Sequence, residues 1–145
     1  MGDDQVLVVV SATQLAAGAG GLALALRRRH AFDLPFWRGQ ESAVGRDAVL
    51  MGTALSAPAV MLGAQAGAIV ALLRGPNPAA RRLLGGLGAA MVGGYLAERL
   101  VRHRLAPSGW DTAESPVIVA GIGLAAAMAL IGLGPARGQT GGQPR

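Results

Sequence analysis

Residues 115–136 read SPVIVAGIGLAAAMALIGLGPA, a run without a single charged side chain. A helix needs about 20 consecutive apolar residues to cross the hydrocarbon core of a bilayer, so this segment is long enough to span one. Three more segments are comparable, at residues 6–26, 48–73 and 83–101. The sequence therefore predicts an all-α polytopic membrane protein, built as a bundle of four transmembrane helices.

The composition of the chain fits that class better than a water-soluble domain. Hydrophobic residues make up 52% of the 145 residues and charged residues 14%, against about 25% charged in typical soluble domains. The chain has no cysteine, which excludes disulfides and cysteine-ligated metals. Its 13 basic residues are all arginine and cluster at the ends of the apolar segments, where anionic lipid headgroups lie. We therefore expect membrane lipids, and not nucleic acid, as partners of these arginines.

The charges around the apolar segments predict an orientation in the cell membrane. The chain begins with the acidic Asp3 and Asp4, and an arginine triplet at 27–29 follows the first segment. This charge order is the reverse of that in a cleaved signal peptide. Arginine is more frequent on the side of the loops 27–47 and 102–114, with eight residues against five. Because cytoplasmic loops are enriched in arginine, we expect these loops in the cytoplasm and both termini outside.

The two predicted cytoplasmic loops resemble each other in one ungapped register. The residues that align are Gly20-Gly21 with Gly93-Gly94, Arg29-His30 with Arg102-His103, and Trp37 with Trp110. One explanation is that these residue types all favour the membrane interface. The other is that the chain consists of two tandem two-helix repeats, related by an axis along the membrane normal.

Glu98 is the most conspicuous candidate for a functional site, because a long uncharged segment precedes it. A charge in the hydrocarbon region costs on the order of 3 kcal/mol on insertion scales, so such residues face the interior of a helix bundle or a partner. Arg102 follows at the i,i+4 spacing that favours an ion pair, which would end the third helix at the interface. The alternative is a proton, cation or headgroup site that also includes Tyr95, one turn away.

Gln14 and Gln65 lie within the first and second apolar segments. We expect them to form hydrogen bonds between helices. The alternative is a polar pathway through the bundle. Pro58 interrupts the second segment and predicts a kink there.

Small residues and interfacial residue types complete the list of candidates. Gly63 and Gly67 form a GxxxG pair, and Gly93 continues a small-residue pattern, so these three are predicted to allow close helix packing. The residues predicted to lie at the lipid headgroups are Arg27, Arg28, Arg29, His30, Trp37, His103 and Trp110. The tail 137–145, rich in Gly and Gln, is predicted to be disordered.

The sequence predicts no catalytic residue, no metal site and no cofactor. The leading hypothesis is a non-enzymatic structural or interaction protein, forming a homo-oligomer or a subunit of a membrane complex. The first alternative is a small transporter or channel subunit with Glu98 in its pathway. The second is a lipid-modifying enzyme at the cytoplasmic interface, where Glu98, His30 and His103 would converge.

Overall fold

The computed structural model describes residues 2–28, 33–34, 37–38 and 57–135. Their elements, in chain order, are α1 (Asp3–Arg28), β1 (Asp33–Leu34), β2 (Trp37–Arg38), α2 (Ala59–Leu73), α3 (Pro78–Ala97), α4 (Arg99–Leu105), a 3-10 turn (Pro107–Gly109) and α5 (Glu114–Leu133). The prediction of a helical protein is confirmed. Within the described residues, strand structure is limited to β1 and β2, which pair antiparallel with Leu34 opposite Trp37.

Within the described residues, two helices are long and apolar enough to cross a membrane. These are α1, over Asp3–Ala23, and α5. Helix α2 carries no charge but has only 15 residues, and α3 carries Arg81 and Arg82 in its first turns. Length and composition therefore support two of the four predicted spans directly.

Each of the four longer helices packs mainly against two others. The most extensive contacts join α3 with α5 and α1 with α5, and α2 completes the ring between α1 and α3. In this ring α2 lies diagonally opposite α5. Side chains from both reach the centre, where Gln65 of α2 approaches Met128 of α5.

The bounds of the helices differ from the predicted segments at two prolines and one glutamate. Helix α3 begins at Pro78 and not near Leu83, because Asn77 caps it by accepting a hydrogen bond from the Ala80 amide at 2.9 Å and proline is favoured in the first turn. Pro58 is the N-cap of α2, so it starts this helix where a kink within a longer one was predicted. The rest of the predicted second segment, residues 48–56, lies outside the described residues.

The third predicted segment is not one continuous helix. Glu98 has an extended backbone (φ −71°, ψ 128°), which ends α3 at Ala97 and lets α4 start at Arg99. Helix α4 is seven residues long and packs against both α3 and α5. The chain therefore turns at Glu98, where a single span to residue 101 was predicted.

Helices α3 and α5 approach each other closely at glycines that the sequence motif did not identify. A Cβ atom added to Gly88 would lie 2.6 Å from the Ala125 carbonyl oxygen, and one added to Gly132 would lie 2.6 Å from the Gly85 backbone. By contrast, an added Cβ at Gly63, Gly67 or Gly93 would meet nothing within 4 Å. The close packing of α3 against α5 thus depends on Gly85, Gly88 and Gly132, whereas the three predicted glycines are exposed.

We expect Gly88→Ala to lower the free energy of unfolding by about 1–3 kcal/mol, because the new methyl group overlaps the backbone of α5. Gly86→Ala is the matched control, since an added Cβ there meets nothing within 4 Å. It should leave stability unchanged or raise it by up to about 1 kcal/mol through helix propensity. Unfolding followed by circular dichroism in detergent micelles measures both values. Equal stability of the two variants would contradict the close contact.

Candidate functional site

The centre of the helical domain contains a polar cluster, formed by Ser11, Gln14 and Gln65. The Gln65 side-chain amide donates to the Ser11 carbonyl oxygen at 2.7 Å and to Gln14 Oε1 at 2.8 Å. The same nitrogen lies 3.7 Å from the Met128 sulfur. All three polar side chains are 0% exposed. Gln14 and Gln65 therefore join α1 to α2 directly, and Met128 brings α5 into contact with the same cluster.

The position of this cluster follows from where polar side chains fall on α1 and α2. Ser11 and Gln14 are three residues apart, so both lie on the face of α1 that packs inward. Each interhelical hydrogen bond in such a setting contributes roughly 0.6 kcal/mol. These hydrogen bonds also select one alignment of α2 along α1, since a shift of α2 by one turn would leave these groups without partners.

The second candidate region lies around Glu98, at the end of α3. The Glu98 side chain is buried. The Arg102 guanidinium donates to the carbonyl oxygens of Leu96 and Ala97, both at 3.0 Å. Arg102 therefore satisfies the carbonyl end of α3 and does not form the predicted ion pair with Glu98. Tyr95 is also buried, and its hydroxyl would lie 3.0 Å from a Cβ atom added to Gly121 of α5.

The structure does not bring these predicted residues into one site. Gly88 of α3 packs against Met128, so it marks the level of the Gln14–Gln65 cluster. Glu98 follows ten residues later, which corresponds to about 15 Å along a helix. Gln14 and Gln65 thus form one group, and Tyr95, Glu98 and Arg102 form another nearer the end of the domain.

The predicted headgroup residues are described only in part. Arg27 and His103 are exposed, and Trp110 is 54% exposed. The side chains of Arg28 and Trp37, together with all of Arg29 and His30, lie outside the described residues. For that reason neither the internal repeat nor the convergence of His30 with Glu98 and His103 is tested, and both stay predictions.

An arginine that the sequence analysis did not single out joins three helix ends. Arg81 of α3 is 8% exposed and pairs with Asp4 of α1 at 2.8 Å. It also donates to the Ile131 carbonyl oxygen of α5 at 2.6 Å. We call this the Arg81 end of the domain. The available signal was the opposite charge of Asp3-Asp4 and Arg81-Arg82 at the starts of two segments, but charge alone did not show that they meet.

The opposite end has a comparable ion pair. Arg104 of α4 pairs with Glu114 at 2.8 Å, and the Glu114 side chain is fully buried. Arg104 also donates to the Gly109 carbonyl oxygen at 3.1 Å, and the Ser115 hydroxyl donates to the Arg104 carbonyl oxygen at 3.0 Å. These bonds tie α4 to the start of α5. We call this the Arg104 end.

A cleft of about 590 Å³ opens at the Arg81 end, lined by Asp4, Arg81, Arg82 and Leu133 among others. Gln14, Gln65 and Glu98 do not line it. Among the described residues there is no group of three His, Cys, Asp or Glu side chains that could hold a metal ion. The chain matches no protein-family model, no curated protein and no solved structure.

We expect Arg81→Gln to lower the free energy of unfolding by about 1–2 kcal/mol, because it removes a charge-assisted bond to the Ile131 carbonyl oxygen and an ion pair. The ion pair contributes little to this loss, because the Asp4 side chain is 42% exposed and water screens the pair. Arg82→Gln is the control, because Arg82 is exposed, and should change stability by less than about 0.5 kcal/mol. Chemical unfolding in micelles compares the two. A loss as large in the control would show that net charge, and not the contact, is responsible.

Proposed function

We propose that this chain is a four-span integral membrane protein that acts by associating with other membrane chains, and not as an enzyme. The observation that carries the proposal is that large apolar side chains are exposed on the outside of the helices, while a polar cluster is buried inside. Ser11, Gln14 and Gln65 are 0% exposed, whereas Leu130 is 77% exposed and Leu73 is 67% exposed. A water-soluble domain buries its large apolar side chains, and monomers in water rarely expose apolar surface on this scale.

The outward-facing apolar residues are found on every long helix. They are Val9, Val60, Val70, Leu73, Leu83, Leu96, Val119, Leu130 and Leu133. Only 28% of the apolar windows of α1 and α5 is buried inside the chain. The core helices of a soluble protein are mostly buried. Lipid chains are the environment in which such surfaces are stable without a protein cover.

The charged residues support the same location. The helical segments 5–23, 59–73, 83–97 and 115–133 contain no charge. The described charges lie toward the Arg81 end or toward the Arg104 end. The 20 residues of α5 extend about 30 Å, which matches the thickness of the hydrocarbon core. This distribution supports an uncharged belt within the bilayer, bounded by two charged ends.

The orientation of the proposed spans follows from the arginine bias. The start of α1 and the end of α5 meet at the Arg81 end, where Arg81 contacts both. With the loops 27–47 and 102–114 in the cytoplasm, the Arg81 end and both termini are outside the cell.

The proposed partner surface is the outer face of α2. Val60, Gly63, Gly67 and Val70 are exposed, and their spacing of three or four residues aligns them along one side of the helix. Two glycines flanked by valines form a shallow groove that allows a second helix to approach closely. Because lipid provides no hydrophobic drive for association, such a groove favours helix contact through packing. A second copy of this chain is the partner that we propose first.

Single-cysteine variants test whether α3 crosses the membrane and in which orientation, since the chain has no cysteine of its own. We expect Ala79→Cys, at the Arg81 end, to react with a membrane-impermeant maleimide in intact cells. Ser108→Cys, at the Arg104 end, should react only after permeabilisation. Ala90→Cys, exposed midway along α3, should stay unlabelled because the belt is in lipid. Labelling of Ala90→Cys in intact cells would refute the membrane location. Labelling of Ser108→Cys but not Ala79→Cys in intact cells would show that the orientation is the opposite one.

We expect the double variant Gly63→Ile, Gly67→Ile to weaken self-association in lipid by about tenfold or more, or about 1.4 kcal/mol, because isoleucine fills the groove. The fold should persist, since a Cβ atom added at either position meets nothing within 4 Å and both positions are exposed. Gly123→Ile on α5 is the control, because it is also open and lies outside the proposed surface. Energy transfer between labelled copies in vesicles gives the association constant. Unchanged association of the double variant would exclude this face as the contact.

A further inference from the structure

We propose that the polar cluster of Ser11, Gln14 and Gln65 binds an internal water molecule, which completes the hydrogen bonds between α1 and α2. The inference concerns a binding site inside the chain and is independent of the proposed association with other membrane chains. It rests on three atoms of this cluster that are buried and unpaired.

Each of the three side chains has one polar atom without a hydrogen-bond partner in the described part of the chain. These atoms are Ser11 Oγ, Gln14 Nε2 and Gln65 Oε1. All three residues are 0% exposed, so bulk solvent does not reach them. Buried polar groups in folded proteins are nearly always paired with protein or with ordered water. Three such atoms in a single cluster therefore indicate a bound molecule that pairs with them.

The orientation of the two glutamine amides is fixed by the bonds that they do make. Gln65 Nε2 faces the Ser11 carbonyl oxygen at 2.7 Å and Gln14 Oε1 at 2.8 Å. Rotation of the Gln65 amide by 180° would direct its oxygen at two other acceptors. Rotation of the Gln14 amide would direct its Nε2 donor at the Gln65 Nε2 donor. The unpaired atoms are therefore the Gln14 donor and the Gln65 acceptor.

This mixture of donor and acceptor selects the chemical class of the ligand. A water molecule can accept from Gln14 Nε2 and donate to Gln65 Oε1, with the Ser11 hydroxyl as its third partner. Three hydrogen bonds are the usual number for a buried water. A sodium or other hard cation requires oxygen ligands and would be repelled by the amide hydrogens of Gln14. An anion would be repelled by Gln65 Oε1.

The position of the cluster explains why the water would be retained. Helices α1 and α2 supply the polar atoms, and the Met128 sulfur of α5 lies 3.7 Å from Gln65 Nε2. The neighbouring inward-facing positions on these helices are Leu7, Leu62 and Ala68, which are buried and apolar. Exchange of the water thus requires the helices to separate briefly. We expect it to exchange more slowly than water at the surface.

The direct test is a high-resolution crystal structure of the full chain grown from a lipidic mesophase. We expect a density peak within about 3.2 Å of both Gln14 Nε2 and Gln65 Oε1. Empty density at the cluster would overturn the proposal, as would rotated amides that pair all three atoms with protein. A peak held by oxygen atoms alone at about 2.3–2.5 Å, present only in sodium salts, would also overturn it and indicate a cation.

A second test counts slowly exchanging waters in solution, by magnetic relaxation dispersion of the full chain in nanodiscs. The triple variant Ser11→Ala, Gln14→Leu, Gln65→Leu should lose the dispersion of one internal water relative to the wild type. Thr13→Val is the matched control, because Thr13 is exposed on the same helix and donates to the Val9 carbonyl oxygen at 2.8 Å. The control should keep the full dispersion.

If the triple variant does not fold, Gln14→Leu alone removes the donor and should give the same loss. Dispersion that is identical in the wild type and a folded variant would overturn the proposal. Self-association through Gly63 and Gly67 is measured separately and does not depend on this result.

Discussion

The close contact between α3 and α5 is the constraint on which the rest of the described structure depends. Their backbones meet where Gly85 lies against Gly132 and Gly88 lies against Ala125. This is possible because the three glycines have no side chain to hold the two backbones apart. The partners run in opposite directions along the two helices, so the contact fixes an antiparallel register. That register then places Tyr95 against Gly121, farther along both helices.

The arginine contacts between α3–α4 and α5 at both ends follow from the same register. With α3 and α5 antiparallel, the start of α3 lies beside the end of α5, so Arg81 reaches the Ile131 carbonyl oxygen. At the other end, the continuation of α3 into α4 meets the start of α5, and Arg104 pairs with Glu114. A shift of one turn, about 5.4 Å, would separate both sets of partners. The glycine contacts therefore set the alignment of α3 with α5, and the charged contacts stabilise it further.

The polar cluster and the outer glycines represent two different uses of small and polar residues in an apolar chain. Inside, Gln14 and Gln65 join α1 to α2, and the internal water that we propose would satisfy their remaining atoms. Outside, Gly63 and Gly67 make no close contact within the described part of the chain, and in our proposal they pack against a second chain. Both uses are suited to a lipid environment, in which packing and hydrogen bonds must hold helices together without a hydrophobic drive.

The sequence by itself determined the helical class, the apolar character of α1 and α5, and the polar residues that face inward on α1 and α2. These properties are local, since they depend on the length of uncharged runs and on helical periodicity. The tertiary structure decided which glycines pack, because a GxxxG spacing is the same on an inner and an outer face. It also decided that Arg81 meets Asp4, that Arg102 caps α3 where a pair with Glu98 was expected, and that Glu98 lies far from Gln65. Each of these outcomes depends on how distant segments are aligned, and the spacing of residues within one helix does not contain that alignment.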